Sequence, residues 1–283
     1  MLPVILDFSH AVTEQPFLHD VQHSLVNCSD IPGTNCYCST DAEDILRQRI
    51  ASLPCLGIHF IDSGNYHYLS KLWLEKIDAS FAPFDLILFD HHSDMQESQW
   101  GGLLSCGSWA RDVLYNNPHL GRVWLIGPPL ADFEHIPFAQ AAGRQTNSKL
   151  PADKRTESEH THRLGGFTRE RVVFLDIAAV RRHGWTGLPR PSGNVYISVD
   201  KDALSPTEAA TNWDQGDMTL AELMDWTLKL TRDANLLGVD ICGEPEPHNG
   251  MFLRDKLQLN SRANHILLEF FHKFFTDIPE NGE

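Results

Sequence analysis

The sequence predicts a single α/β domain in three layers, with a mostly parallel central sheet between two layers of helices. Three observations carry this. The chain has 283 residues, enough for one large domain with a well-buried core. Seven short runs rich in Val, Ile, Leu and Phe lack strict alternation, as strands covered on both faces do. Helical patterns lie between those runs, and strands alternating with helices build βαβ units with right-handed crossovers.

The apolar runs read as strands over residues 4–7, 57–61, 84–90, 122–126, 171–177, 194–200 and 236–241. Helices are expected over 41–53, which opens with acidic residues, and over 69–77, 109–115, 220–234 and 261–275. The stretch 140–163 is polar and has no apolar period, so a long surface loop is expected at about 140–165, with His160 and His162 as solvated side chains. Residues 278–283 read as a frayed tail.

Hydrophobic residues at 42% and charged residues at 22% give an ordinary globular balance. The formal net charge of −15 excludes a nucleic-acid binder, which needs basic stripes to meet phosphates. It suits a cationic substrate, or solubility alone. No apolar run approaches the roughly 20 residues of a membrane span. The start, MLPVILDFSH, has no basic n-region and reaches Asp7 too soon for a signal peptide, so a cytoplasmic location is expected. The six cysteines form no CxxC pair and are expected as free thiols.

The strongest chemical signal is FDHHSDM at residues 89–95. An apolar run ends, and Asp90, His92 and Asp94 follow at alternate positions, which points them to one side. In an open parallel sheet, ligands bind beyond the carboxyl ends of the strands. Two carboxylates with an imidazole suit a hard-to-borderline divalent ion. The second signal is SVDKDALSP at 198–206, where Asp200 and Asp202 alternate around Lys201. Either pattern alone arises by chance or in a solvated turn. Two of them, each closing an apolar strand, point to one site. The third, Gly64-Asn65-Tyr66-His67-Tyr68, sits between a strand and a helix and adds His67.

In this order the motifs resemble those of the arginase/agmatinase/formiminoglutamase family, the ureohydrolases, with its GGDH-type histidine, DAHxD segment and SxDxDxxDP segment. The resemblance spans roughly residues 67–246. It implies an arginase-like fold and places His67, Asp90, His92, Asp94, Asp200 and Asp202 on the family's six metal positions. It also implies two Mn2+ ions per chain and hydrolysis of a guanidinium C–N bond with release of urea. Four Asp and two His make an oxygen-rich donor set, which suits Mn2+ better than a soft thiolate metal. Asp94 falls where the family's ligand also handles a proton. The family often forms trimers or hexamers, so a homo-oligomer is an open expectation.

The chain also departs from the family. Cys106, in Ser105-Cys106-Gly107, stands where a proton-shuttling histidine is common, and a thiol is a poorer shuttle near neutral pH. Cys106 reads equally as a small buried residue. For the acid that grips the guanidinium, the stretch 238–247 offers Glu244 first and Glu246 as its competitor, one residue longer than the family pattern, with Asp240 supporting from the strand end. Trp213 and Asp214 lie in the region of the family's substrate loop, where they can stack on or pair with a cation, or simply close a loop. Gln96 and Glu97 replace recognisable amino-acid-binding groups, so free arginine is not the expected substrate. A guanidino compound is expected, small or within an arginine-containing peptide, as in atypical arginase-like proteins that convert peptide-bound arginine to ornithine. Two rival readings stay open: a one-zinc deacetylase on the same fold, and a metal-binding regulatory protein without catalysis.

Overall fold

The computed structural model describes residues 1–99, 101–136, 138, 169–247 and 250–276. The expected loop at 140–165 with His160 and His162, and the tail 278–283, lie outside the described residues.

In chain order the elements are β1 (Val4–Asp7), β2 (Ser24–Asn27), β3 (Tyr37–Cys38), α1 (Thr40–Ile50), β4 (Gly57–Ile61), α2 (Leu69–Glu75), β5 (Phe84–Phe89), β6 (Leu104–Ser105), α3 (Trp109–Asn116) and β7 (Leu120–Ile126). They continue with α4 (Leu130–Glu134), β8 (Val172–Leu175), α5 (Ile177–His183), β9 (Gly193–Asp200), α6 (Leu220–Leu230), β10 (Ala234–Cys242) and α7 (Arg254–Thr276). Eight strands form one sheet in the order β2-β1-β4-β10-β9-β5-β7-β8. Every neighbouring pair in it is parallel. β3 and β6 form a separate antiparallel pair.

The continuous apolar runs have a direct cause. Along β5, Leu86 and Leu88 enter the core on one side of the sheet, while Ile87 and Phe89 enter the core on the other. A strand buried on both faces has no polar face to alternate with. Helix starts are capped as their sequences allow. Ser39 accepts from Ala42 N–H at α1, and Thr219 with Glu222 forms a capping box at α6.

Several boundaries differ from the sequence expectation. The run 171–177 is not one strand: β8 ends at Leu175, and Asp176 caps α5 by accepting from Ala179 N–H. The last helix starts at Arg254 rather than 261, and Ala234 opens β10 instead of closing α6. Among the described residues, no helix is long and apolar enough to cross a membrane.

The order of the strands creates the site. The chain passes from β4 to β5 across two places in the sheet, and β10 and β9 fill them later. The carboxyl ends of β4, β10, β9 and β5 therefore lie side by side. A crevice opens where the strand order reverses, and ligands of open α/β sheets bind there.

Candidate metal centre

His67 follows a single 3-10 turn, Gly64–Tyr66, beyond the end of β4. Gly64 has no room for a side chain: a Cβ would lie 2.9 Å from both Asp200 Oδ2 and Trp213 Cδ1. Asp90 comes directly after β5, Asp200 ends β9, and Asp202 lies in the turn Lys201–Ala203. Asp94 adopts a left-handed φ of +51°, which Asp tolerates better than bulky residues do.

These elements bring the six residues of the three motifs to one place. His67 Nδ1 lies 3.0 Å from Asp94 Oδ2, 3.2 Å from Asp90 Oδ2 and 3.5 Å from Asp200 Oδ2. His92 Nδ1 lies 2.8 Å from Asp202 Oδ2 and 3.6 Å from Asp90 Oδ1. Two triads able to hold a cation result, His67 with Asp90 and Asp94, and His92 with Asp90 and Asp202. Asp90 belongs to both, one oxygen to each. A metal–donor bond of about 2.1 Å gives donor–donor edges of about 3.0 Å in an octahedron and about 3.4 Å in a tetrahedron. The observed spacings are of that size. Asp90 Oδ2 is buried without a hydrogen-bond partner, an orphan that a cation would satisfy. The residues therefore fit a pair of divalent ions.

The carboxylates are held ready by other bonds. Asp90 Oδ1 accepts from His92 N–H at 2.6 Å, Asp200 Oδ1 from Asp202 N–H at 2.9 Å, and Asp202 Oδ1 from His91 N–H at 2.8 Å. Asp200 and Asp202 are each pinned through one oxygen while the other turns to the cluster, and Asp90 Oδ1 holds this bond while also facing His92 Nδ1. Asp94 Oδ2 accepts instead from the Trp109 indole N–H at 2.6 Å. Behind His67, Ser198 Oγ lies 2.8 Å from Nε2 and donates to Asp240 Oδ1 at 2.5 Å. With its proton committed to Asp240, Ser198 accepts from Nε2–H, which turns Nδ1 to the carboxylates and, in the neutral ring, makes it the free ligand nitrogen. Ser70 also donates to Asp240, at 3.0 Å.

The electrostatics are those of acids crowded out of water. Burial raises the Asp202 pKa to about 7, and Asp90 adds to the rise. Burial also raises Asp90, reinforced by Asp94, and raises Asp200, reinforced by Asp202. Burial works to lower the His92 imidazole, but bonds to Asp202 and Asp90 overcome it and lift its pKa to about 11. Without metal, protons take up part of the negative charge.

The cluster opens into a cavity of about 290 Å³. Trp213, Cys106, Gln96 and Tyr37 help to line it. The Trp213 ring meets His92 edge-on at 5.6 Å, and its Nε1–H is tied to Asn65 Oδ1 at 2.9 Å. Burial pushes the Cys106 thiol well above its ordinary range, with Asp94 adding to the effect, so it stays protonated.

Glu244, expected to grip the guanidinium, is placed elsewhere. Its carboxylate is buried in a closed network. Lys201 Nζ and Asn264 Nδ2 donate to Oε1, and Gln15 Nε2 and Asn260 Nδ2 donate to Oε2. The cause is Gly243, at φ +88°, where a Cβ would strike Asp200 Oδ1 and the Lys201 backbone nitrogen. The chain can pass Asp200 only as glycine, and the next side chain turns to Lys201. Glu246 is exposed and accepts from Asn65 Nδ2, beside the cavity rim. Asp214 is exposed and is not among the lining residues. Ser198, Trp109 and Cys242 were not singled out from sequence. For Ser198 a signal existed: it lies two residues before Asp200, on the same strand face.

These shapes have counterparts. An agmatine ureohydrolase of Thermoplasma volcanium superposes with a TM-score of 0.56 at 15% identity, over 97% of this chain and 90% of that one. An arginase from Medicago truncatula gives a TM-score of 0.58 at 12% identity, over 96% and 87%. A T. brucei arginase-like protein, an engineered triple mutant bound with Mn2+, gives 0.56 at 14%, over 97% and 91%. The chain has the ureohydrolase fold. The eight-stranded sheet and its flanking helices are thus the arginase-like α/β architecture. In sequence, the chain is 29% identical over 220 residues to an uncharacterized protein of Thermotoga maritima, spanning 77% of this chain and 70% of that one. No protein-family model matches the chain.

Proposed function

We propose that this protein is a metal-dependent hydrolase that cleaves a C–N bond of a guanidino compound and releases urea, with two divalent ions, Mn2+ foremost, in the two triads. One observation carries the reading: residues from three separate motifs converge, five of them in two triads that share Asp90, with Asp200 beside His67. A protein that only needed acidity would have no physical reason to bury four carboxylates together.

Divalent ions held by these residues would supply Lewis-acid chemistry, a lowered pKa for bound water and positive charge to offset what develops in hydrolysis. The chain's own residues do the rest. The backbone N–H groups of His91, His92 and Asp202 hold three carboxylates in place before any ligand arrives. Asp94 is held by an indole N–H instead of a backbone N–H, and it is the carboxylate assigned to accept a proton and pass it to the leaving amine. Cys106, protonated, serves as a hydrogen-bond donor on the cavity wall rather than as a shuttle. Trp213 offers a face for a cationic group. With Glu244 committed to Lys201, Glu246, bonded to Asn65 next to the cavity residue Gly64, is assigned as the partner of the guanidinium or of a substrate backbone. A recognition acid on the rim suits a long substrate, such as arginine within a peptide.

The test is urea release from arginine, agmatine, guanidinobutyrate and an arginine-containing peptide, with Mn2+ and with chelator. Manganese-dependent urea from one of them, abolished in Asp202→Ala, is expected. Two bound ions with no urea from any of them would overturn the reaction while leaving the metal site.

A further inference from the structure

One buried donor beside the cluster belongs to neither triad. β10 and β9 run parallel, with Asp240 paired to Ser198 and Cys242 paired to Asp200. Alternation therefore puts Asp240 and Cys242 on the face that carries Ser198 and Asp200. The bonds agree: Ser198 donates to Asp240 at 2.5 Å, and one layer higher Cys242 Sγ lies 3.1 Å from Asp200 Oδ2. Cys242 is fully buried. Its sulfur, an imidazole nitrogen of His67 and a carboxylate oxygen of Asp200 all lie within 4.8 Å of one another, a third group able to hold a cation. His67 Nδ1, 3.5 Å from Asp200 Oδ2, also lies 3.2 Å from Asp90 Oδ2, the buried oxygen with no hydrogen-bond partner. The sulfur thus stands one ligand edge from Asp200, on the side of the pocket where an orphaned carboxylate oxygen marks a missing cation.

We infer that Cys242 is a direct ligand of the ion held by His67, and that this position differs in kind from its neighbour. The inference rests on the metal-centre reading above. A thiolate added to imidazole and carboxylate makes a mixed N, O and S donor set, which favours Zn2+, Co2+ or Fe2+ over Mn2+. The other position, His92 with Asp90 and Asp202, keeps only nitrogen and oxygen donors and stays suited to Mn2+. The protein is then built for two different ions, and Mn2+ as the foremost ion of the proposed function applies to the His92 position alone. Coordination replaces the S–H bond with a metal–sulfur bond, and the proton leaves to solvent.

The experiment uses the full-length, metal-free protein titrated with Co2+ and followed by absorption. The inference predicts a sulfur-to-cobalt charge-transfer band in the near ultraviolet as the first equivalent binds. In Cys242→Ser that band is lost while the visible cobalt bands remain. The Zn2+-over-Mn2+ preference of the variant falls at least about tenfold, the size of one ligand-shell change. Visible cobalt bands without the near-ultraviolet band in the natural protein would overturn the inference and leave the metal centre standing. Persistence of the band in Cys242→Ser would also overturn it, by pointing to Cys36 or Cys106 on the cavity wall. No Co2+ uptake at all would overturn both the inference and the metal-centre reading. Zinc X-ray absorption on the natural protein needs no variant: a sulfur shell at about 2.3 Å supports Cys242, and nitrogen and oxygen alone at about 2.0–2.1 Å refutes it.

Discussion

Ser198→Ala removes one hydroxyl that touches no proposed ion. In the native protein that hydroxyl accepts from His67 Nε2–H at 2.8 Å and donates to Asp240 Oδ1 at 2.5 Å. Both bonds are buried, and all three residues are at most 1% exposed. Its loss leaves the Nε2 proton without an acceptor and Asp240 with one donor fewer. The imidazole is then free to move its proton to Nδ1, the nitrogen that faces Asp90, Asp94 and Asp200. Outer partners of metal-bound histidines typically contribute 10- to 100-fold in affinity, about 1.4–2.8 kcal/mol. Leaving buried polar groups unpaired costs about 1–3 kcal/mol of folding stability as well. Calorimetric titration with a divalent ion measures the first effect, and urea denaturation of the metal-free protein the second. Affinity should fall at least about tenfold at the His67 position, with the His92 position less affected. Unchanged affinity at both positions would refute the claim that Ser198 sets the histidine's orientation and tautomer.

Other perturbations separate structure from chemistry. Lys201→Met should destabilise the fold by about 3–5 kcal/mol in denaturant melts, because it leaves Glu244 as an uncompensated buried charge, and replacing both partners by apolar residues should recover much of the loss. Glu246→Gln should raise KM for a guanidino substrate several-fold with little change in stability, whereas Glu244→Gln should lower stability and leave KM near its original value. His59 is stacked on Trp73 and bonded to Tyr196 and Pro54, and burial pushes its pKa down from 6.5 to about 4. Its stabilising effect is therefore complete above pH 6.5 and lost as pH falls toward 4, about 3 kcal/mol in all. The natural protein in chelator should lose that much more stability than His59→Gln across this window, and equal losses would show that His59 is not held neutral.

The sheet was legible because its strands are buried on both faces, so apolar runs mark them without periodicity. β1 and β4 fall on the expected residues, 4–7 and 57–61. β2 was not seen because it is a four-residue edge strand with alternate residues exposed. The start of α7 was hidden by Asn260, a polar residue at a buried position that breaks the apolar period, while Asn264, also polar and buried, lies within the expected range. They are inside because Glu244 is, and Glu244 is inside because Lys201 is. That network joins residues far apart in the chain, and no local pattern exposes it. The clustering of the candidate ligands was legible for the opposite reason. Asp90, His92 and Asp94, and Asp200 and Asp202, stand at strand ends with period-two spacing, and this pattern is written locally. The place of Glu244 was not legible because Gly243 redirects the chain, and the close approach to Asp200 that requires a glycine is visible only in three dimensions.

The most direct measurement is metal content. The protein is dialysed against Mn2+ and against Mn2+ with Zn2+, and the bound ions are counted by mass spectrometry beside Asp90→Asn. Because Asp90 serves both triads, the natural chain should hold two ions and the variant should lose affinity at both positions together. A natural chain that holds none, or an Asp90→Asn chain that still holds two with unchanged affinity, would contradict the shared centre on which the proposed hydrolysis depends.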